Sequence, residues 1–281
     1  MGKSTIDVCG LEQPQPTRQP VPSTQHKEAQ VKRDDLTTYL DNYLRVKEID
    51  DSSQNGLQVE GPEEMTKVAF AVDSCQAAFK RAVAAGAQLL IVHHGLFWDK
   101  PLRLVGPLFR RVKTLIEGDC GLYAAHLPLD LHPEVGNNAE LARLLGLKDT
   151  RAFGEHRGHK IGLGGVLDQP IPLSVLIERL ARATGEPPLR VFAHGPAEAS
   201  QVGCISGWGA DLMDQVADAG FDTFVTGEAS HTFFHQAAEW GLNVVYGGHY
   251  ATETLGLKAL ARHLGEKFGL ETTFLDVPTG M

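Results

Sequence analysis

Three apolar runs in this 281-residue chain end in side chains that bind metals. "LLIVHHGLFWDK" carries Leu89, Leu90, Ile91 and Val92 into adjacent His93 and His94, then turns at Gly95. "YAAHLPLDLHPEVGNNAELA" places His126 at the end of a second run and Asp130 in the loop beyond. "VVYGGHYATETLG" places His249 after a third, with Glu253 four residues on. Alone, the His93–His94 pair reads equally as a metal site or as two satisfied histidines at a strand end. Strand alternation points neighbours apart, so both face one site only if the backbone turns, which Gly95 permits. The i, i+4 spacing of His249 and Glu253 puts both on one helix face if the helix begins early enough. Taken together, His93, His94, His249, Asp130 and Glu253 outnumber the four ligands of a structural zinc. This mixed set suits two divalent ions about 3.5–4 Å apart that share one carboxylate. Imidazole plus carboxylate accepts Zn, Mn, Fe, Co or Ni.

Three further residues are candidates for catalysis. His126 is placed to hold the Asp130 loop or to donate to a metal-bound water. Glu228 and His231 follow a strand, where catalytic and substrate-binding groups gather; a helix cap and a surface imidazole are their bland alternatives. Asp73 ends another strand and is a candidate to border the cleft. His231 and His235 form an H-x-x-x-H, but Phe233 and Phe234 between them mark His235 as packing beside the core. His132, His156, His159 and His194 fall in loops and are expected to be solvated. The glycine run at 162–165 lacks the lysine of a phosphate loop and reads as a bulge or a close backbone contact.

The elements that must position these groups alternate. A helix is expected from Asp34, with Leu36, Tyr39, Leu40, Tyr43 and Leu44 on one face. Strands at 67–72, 88–94 and 121–126 then alternate with helices at 74–86, 106–119 and 138–146. The polar loop "RAFGEHRGH" marks a boundary. Beyond it, strands at 160–167, 189–193, 201–206, 221–227, 242–249 and 272–277 are interleaved with helices at 173–185, 211–220, 230–241 and 252–269. Repeated strand–helix–strand units predict an α/β fold with mainly parallel sheets, in which ligands bind at the carboxyl ends of strands. The expected organisation is a disordered tail over 1–31, one α/β lobe over 32–155 and a second over 156–281. The last helix and strand return to a shared cleft.

Composition narrows the function. A formal net charge of −9 argues against nonspecific binding to nucleic acid or to an anionic membrane. No apolar stretch approaches the roughly 20 residues of a membrane span. Cys9, Cys75, Cys120 and Cys204 show no C-x-x-C spacing, so free thiols in a reducing cytoplasm are expected. "LEQPQPTRQPVPSTQHKEAQ" has too little apolar surface to order itself.

The motifs "NGLQVEG", "VHHGLFW", "HLPLDLHPEVGNNAELARLLGL", "TGEASH" and "GGHYATETLGLKAL" resemble, in order, those of the NIF-three-like family. Members are often called GTP cyclohydrolase 1 type 2 homologues. The resemblance runs from about residue 34 to 278 and implies a dinuclear metal centre between two α/β lobes of a toroidal homohexamer. His93, His94, Asp130, His249 and Glu253 fall on the family's metal positions, Glu253 on the bridging carboxylate. The expectation is a metal-dependent hydrolase in which a metal-bound hydroxide attacks a small-molecule substrate, with a nucleotide among the candidates. The alternative is a non-catalytic metal-binding regulatory or protein-interaction factor.

Overall fold

The computed structural model describes residues 1–2 and 30–281. Most of the expected tail, and Cys9, lie outside the described residues. Two sheets organise the chain. The first has five strands in the order Glu271–Phe274, Lys67–Asp73, Leu89–His94, Gly121–Ala124 and Gly56–Val59. The first four run parallel, and the last pairs antiparallel at the edge. "KVAFAVD" and "LLIVHH" are apolar without alternation because both faces are covered. Helix Arg33–Tyr43 and Leu257, Leu260 and Leu264 of helix His249–Phe268 cover one face. Helices Gln76–Ala84 and Gly106–Glu117 cover the other.

The second sheet has six strands in the order Lys148–His156, His159–Pro172, Glu198–Ile205, Thr223–Thr226, Asn243–Tyr246 and Arg190–Ala193. Its three consecutive strands from Glu198 to Tyr246 are parallel, as strand–helix–strand units require. The other pairings are antiparallel, so this sheet is mixed rather than mainly parallel. The departure has a local cause. Lys148–His156 and His159–Pro172 are joined by Arg157 and Gly158, both at positive φ (51° and 78°), the backbone of a two-residue hairpin turn.

The segment "RAFGEHRGH", expected to be a boundary loop, thus lies in this hairpin. Lys148–His156 is mostly exposed and lacks the alternation that announces a strand. Nor is its tip simply solvated. His159 Nε2 accepts from the Asp50 amide at 3.0 Å, and Arg157 pairs with Asp50 and Asp99 at 3.4 Å each. The glycine run lies within His159–Pro172, where a Cβ on Gly164 would enter the Phe221 ring.

Helix His249–Phe268 begins three residues before the expected Thr252 and packs against both cores, through Leu257 and Leu260 on one side and Leu255 on the other. The chain then returns to the first sheet as Glu271–Phe274. Among the described residues, no helix is long and apolar enough to cross a membrane. Among the described residues, Cys75, Cys120 and Cys204 are free thiols, the last two buried.

Candidate metal centre

The early helix start puts His249 and Glu253 in one helix, so the i, i+4 spacing makes them neighbours, with Nε2 to Oε1 at 3.1 Å. Glu253 is 3 % exposed and stands between the histidines. His93 Nε2 lies 3.5 Å from Oε1, and His94 Nε2 lies 3.3 Å from Oε2. The two strand-end imidazoles therefore converge, their rings 4.8 Å apart. Gly95 contributes room rather than a left-handed turn. A Cβ there would meet Gln58 and the Ala124 methyl, and Gly95 is not among the residues at positive φ.

Asp130 ends the short helix Leu127–Asp130 and points Oδ2 at His93 Nε2, 3.6 Å away. Its other oxygen accepts from Asn137 Nδ2 at 2.9 Å and Ser206 Oγ at 3.0 Å. Asn137 also accepts from the Gly256 amide at 2.7 Å, tying this loop to the helix that carries Glu253. Asn138 accepts from the Ser206 amide at 2.8 Å.

Each histidine is held from behind. His93 Nδ1 donates to the Ala125 carbonyl at 2.9 Å, since a carbonyl can only accept. His94 Nδ1 meets Asp73 at 2.8 Å, His249 Nδ1 meets Glu228 at 2.7 Å, and His126 Nδ1 meets both oxygens of Asp51 at 3.0 Å. All four rings thus commit Nδ1 outward and leave Nε2 for the centre, the arrangement that fixes tautomer and orientation in metal-binding histidines.

The donor atoms gather accordingly. His93, His94 and His126 place ligand atoms within 4.8 Å of one another, as do His94, His249 and Glu253. Among the described residues, the buried Glu253 Oε2 and His93 Nε2 have no hydrogen-bond partner, and leaving such groups unmet costs about 1–3 kcal/mol each. A divalent cation supplies what both lack, so the donor set fits a metal.

The electrostatics agree. Burial alone would raise the Glu253 pKa, but the charges of His93 and His94 and hydrogen bonding from His249 hold it well below the usual carboxylate range. Burial alone would lower the histidines. Glu253 and Asp73 instead raise His94 to about 10, and Glu253 and Glu228 raise His249 to about 9. Asp130 and Glu253 raise His93 against the same burial penalty.

These features define a class: an α/β protein that collects imidazoles and carboxylates from strand ends and one helix into a single candidate metal centre. Residues 31–280 match the family described as Duf34/NIF3 (NGG1p interacting factor 3), and the chain belongs to that family. A protein of Deinococcus radiodurans named GTP cyclohydrolase 1 type 2 homolog is 44 % identical over 260 residues, which cover 92 % of this chain and 98 % of that one. A Pyrococcus abyssi protein of the same name is 41 % identical over 251 residues, 89 % of this chain and 100 % of that one. Among solved structures, TTHA1606 from Thermus thermophilus superposes with a TM-score of 0.82 at 48 % identity, covering 89 % of this chain and 100 % of that one.

The structure brings His93, His94, Asp130, His249 and Glu253 together and adds His126 to the nitrogen cluster. Glu228 Oε2 lies 2.7 Å from His249 Nδ1, and Asp73 Oδ1 lies 2.8 Å from His94 Nδ1. His231 is not brought in. Beyond Glu228 the chain runs through Ala229 and Ser230 into the short helix His231–Phe233, and His231 lines a separate surface cavity with Arg190, Phe192 and Phe234. Sequence reasoning missed Asp51, Asn137 and Ser206. The signals were the place of Asn137 inside the "HLPLDLHPEVGNNAELARLLGL" motif and of Asp51 four residues before "NGLQVEG", whose Asn55 both donates to Asp51 at 2.8 Å and accepts from the His126 amide at 2.7 Å.

Proposed function

We propose that the protein is a metal-dependent hydrolase that holds two divalent cations. His93 and Asp130 would serve one ion, His94 and His249 the other, and Glu253 both. The observation that carries this reading is the shared geometry of the imidazoles, each anchored at Nδ1 with Nε2 turned toward Glu253 or its neighbours. Support for catalysis over storage comes from access. The donors open into a cavity of about 310 Å³ lined by His94, His126, Asp130, His249 and Glu253, whereas structural metal sites are closed.

Bound there, a cation pair supplies Lewis acidity and makes water a competent nucleophile near neutral pH. The chain's own groups do the rest. His126, its Nδ1–H accepted by Asp51, presents Nε2 to accept a proton from attacking water or return it to the leaving group. Asp73 and Glu228 keep the His94 and His249 rings from rotating. Leu127, Ile161, Ile205 and Leu212 give the cavity an apolar wall that limits competing water.

The names of the relatives support a small-molecule substrate with a hydrolysable ring C–N bond, a nucleotide included. Free Cys75, Cys120 and Cys204 support a reducing, cytoplasmic location. Leu102, Leu104, Val105, Phe109 and Ile116 are exposed on and beside one helix, which supports assembly into the homohexamer implied by the family resemblance. The test is a turnover screen of nucleotides, phosphoesters and cyclic amides with metal-reloaded protein and His126→Ala as control. Turnover lost in the variant upholds the hydrolase. Fully loaded protein that turns over none of these favours the competing reading, a metal-binding regulatory or interaction factor.

A further inference from the structure

Beyond the metal donors, the cavity is built for one kind of ligand. Trp98 enters from the first sheet. Its indole Nε1–H donates to the Gly95 carbonyl at 3.0 Å, and its ring meets His126 edge-on, centroids 5.1 Å apart. Trp208 enters from the second sheet, 46 % exposed, next to the Gly207 that abuts Glu253. Both indoles line the same 310 Å³ space, and Ile205 and Leu212 form part of its wall. Asp211 also lines it, and among the described residues its carboxylate has no ion pair or side-chain hydrogen bond.

The cavity also lacks something. Among the described residues, no lysine or arginine lines it. Arg157, on the neighbouring hairpin, is engaged by Asp50 and Asp99. A polyphosphate chain running past Trp208 and Asp211, away from His94 and His249 at the metal end, would meet the Asp211 carboxylate and no lysine or arginine, with His156 the one imidazole on the hairpin side. Indole faces bind flat rings, and a carboxylate accepts from N–H edges and repels phosphate.

Resting on the reading of this cleft as the substrate site, we infer that Trp98, Trp208 and Asp211 select an uncharged planar heterocycle with a lactam or amino N–H edge, and disfavour its polyphosphorylated forms. The ring lies against the indoles, Asp211 accepts from its N–H edge, and the opposite edge faces Glu253.

The chain has three tryptophans, so Trp240→Phe leaves Trp98 and Trp208 as the only indole fluorophores. Metal-reloaded Trp240→Phe protein is titrated with inosine, 1-methylinosine and inosine triphosphate while indole emission is followed. Inosine is expected to quench saturably and bind at least tenfold tighter than the other two. Asp211→Ala is expected to erase the preference over 1-methylinosine, and Trp208→Ala to weaken inosine about tenfold, the order of one base–aromatic stack. Triphosphate binding as tight as inosine, a preference that survives Asp211→Ala, or no saturable quenching overturns the inference. Quenching is read at equilibrium, so absence of turnover would count against the hydrolase and leave this result standing. Metal content measured on the same samples separates loss of the centre from loss of the ring site.

Discussion

Both carboxylate oxygens of Asp51 lie 3.0 Å from Nδ1 of His126, a residue 75 positions away in the chain. The Asp51 side chain is 2 % exposed and also accepts from the Ser53 and Leu127 amides. Burial alone would raise its pKa, but hydrogen bonding and charge from His126, with help from Asn55 and Ser53, hold it well below the usual range. A depressed carboxylate stabilises the fold above its unfolded pKa, near 4, and loses that contribution as pH falls below it. Asp51→Ala leaves several buried donors unmet and is expected to cost about 3 kcal/mol. Asp51→Asn should retain most stability and both metals yet lower turnover. Chemical denaturation and elemental analysis check the two variants, and wild-type turnover in Asp51→Asn would rule out the positioning role.

Glu253 faces three imidazoles through two oxygens. Glu253→Gln is therefore expected to weaken both metal sites together, while Asp130→Asn and His249→Ala each weaken mainly one. Anomalous scattering from crystals of the three variants reads the occupancies. Two full peaks in Glu253→Gln would show that this residue is only an acidic group in a helix's first turn, worth about 0.3–1 kcal/mol.

Asp73 and Glu228 do not face the centre but hold His94 and His249. Asp73→Asn and Glu228→Gln are expected to lower metal affinity about 10–100-fold each without abolishing binding. Competition with a chelator of known affinity measures this, and unchanged affinity in both variants would refute it.

The metal-free protein should respond to pH in a definite direction. His94 and His249 are raised to about 10 and about 9, so in the absence of metal they are protonated at neutral pH and paired with carboxylates. A raised pKa gives stability that is full below the unfolded histidine value, near 6.5, and is lost as pH rises through the folded value. The melting temperature of metal-free protein should fall between about pH 6.5 and pH 10, whereas metal-loaded protein should change less. Metal binding must also release these protons. Calorimetry at pH 7 in buffers of differing ionisation enthalpy should register that release, and buffer-independent heats would contradict it.

A Cβ on Gly207 would strike the Glu253 carboxylate, and the residue sits at φ +58°. Gly86 has a similar φ of +70° and open space around it. Both Gly→Ala changes carry the left-handed penalty of about 1–2 kcal/mol. Only Gly207→Ala is expected to lose metal as well. Equal metal content in the two variants would show that Gly207 gives no room the centre needs.

The five candidate donors that converge were legible because each follows an apolar run or sits at helical spacing, and parallel sheets gather strand ends on one side. The supports were not. Ser206 reaches Asp130 across 76 residues, and Asn137 reaches Gly256 across 119. In sequence, such small polar residues look like any loop. His231 misled for the opposite reason, since its position after a strand resembles that of a site residue while the short helix His231–Phe233 presents it to another cavity. Lys148–His156 was hidden by exposure, because an edge strand facing water loses the periodicity that reveals buried ones.

The most direct test of the central claim is the metal content of purified, reloaded chain measured by elemental analysis against protein concentration. Two overlapping donor groups sharing His94, with Asp130 beside His93 and Glu253 between the rings, predict close to two divalent ions per chain, falling in His94→Ala. At most one ion per chain after reloading would contradict it.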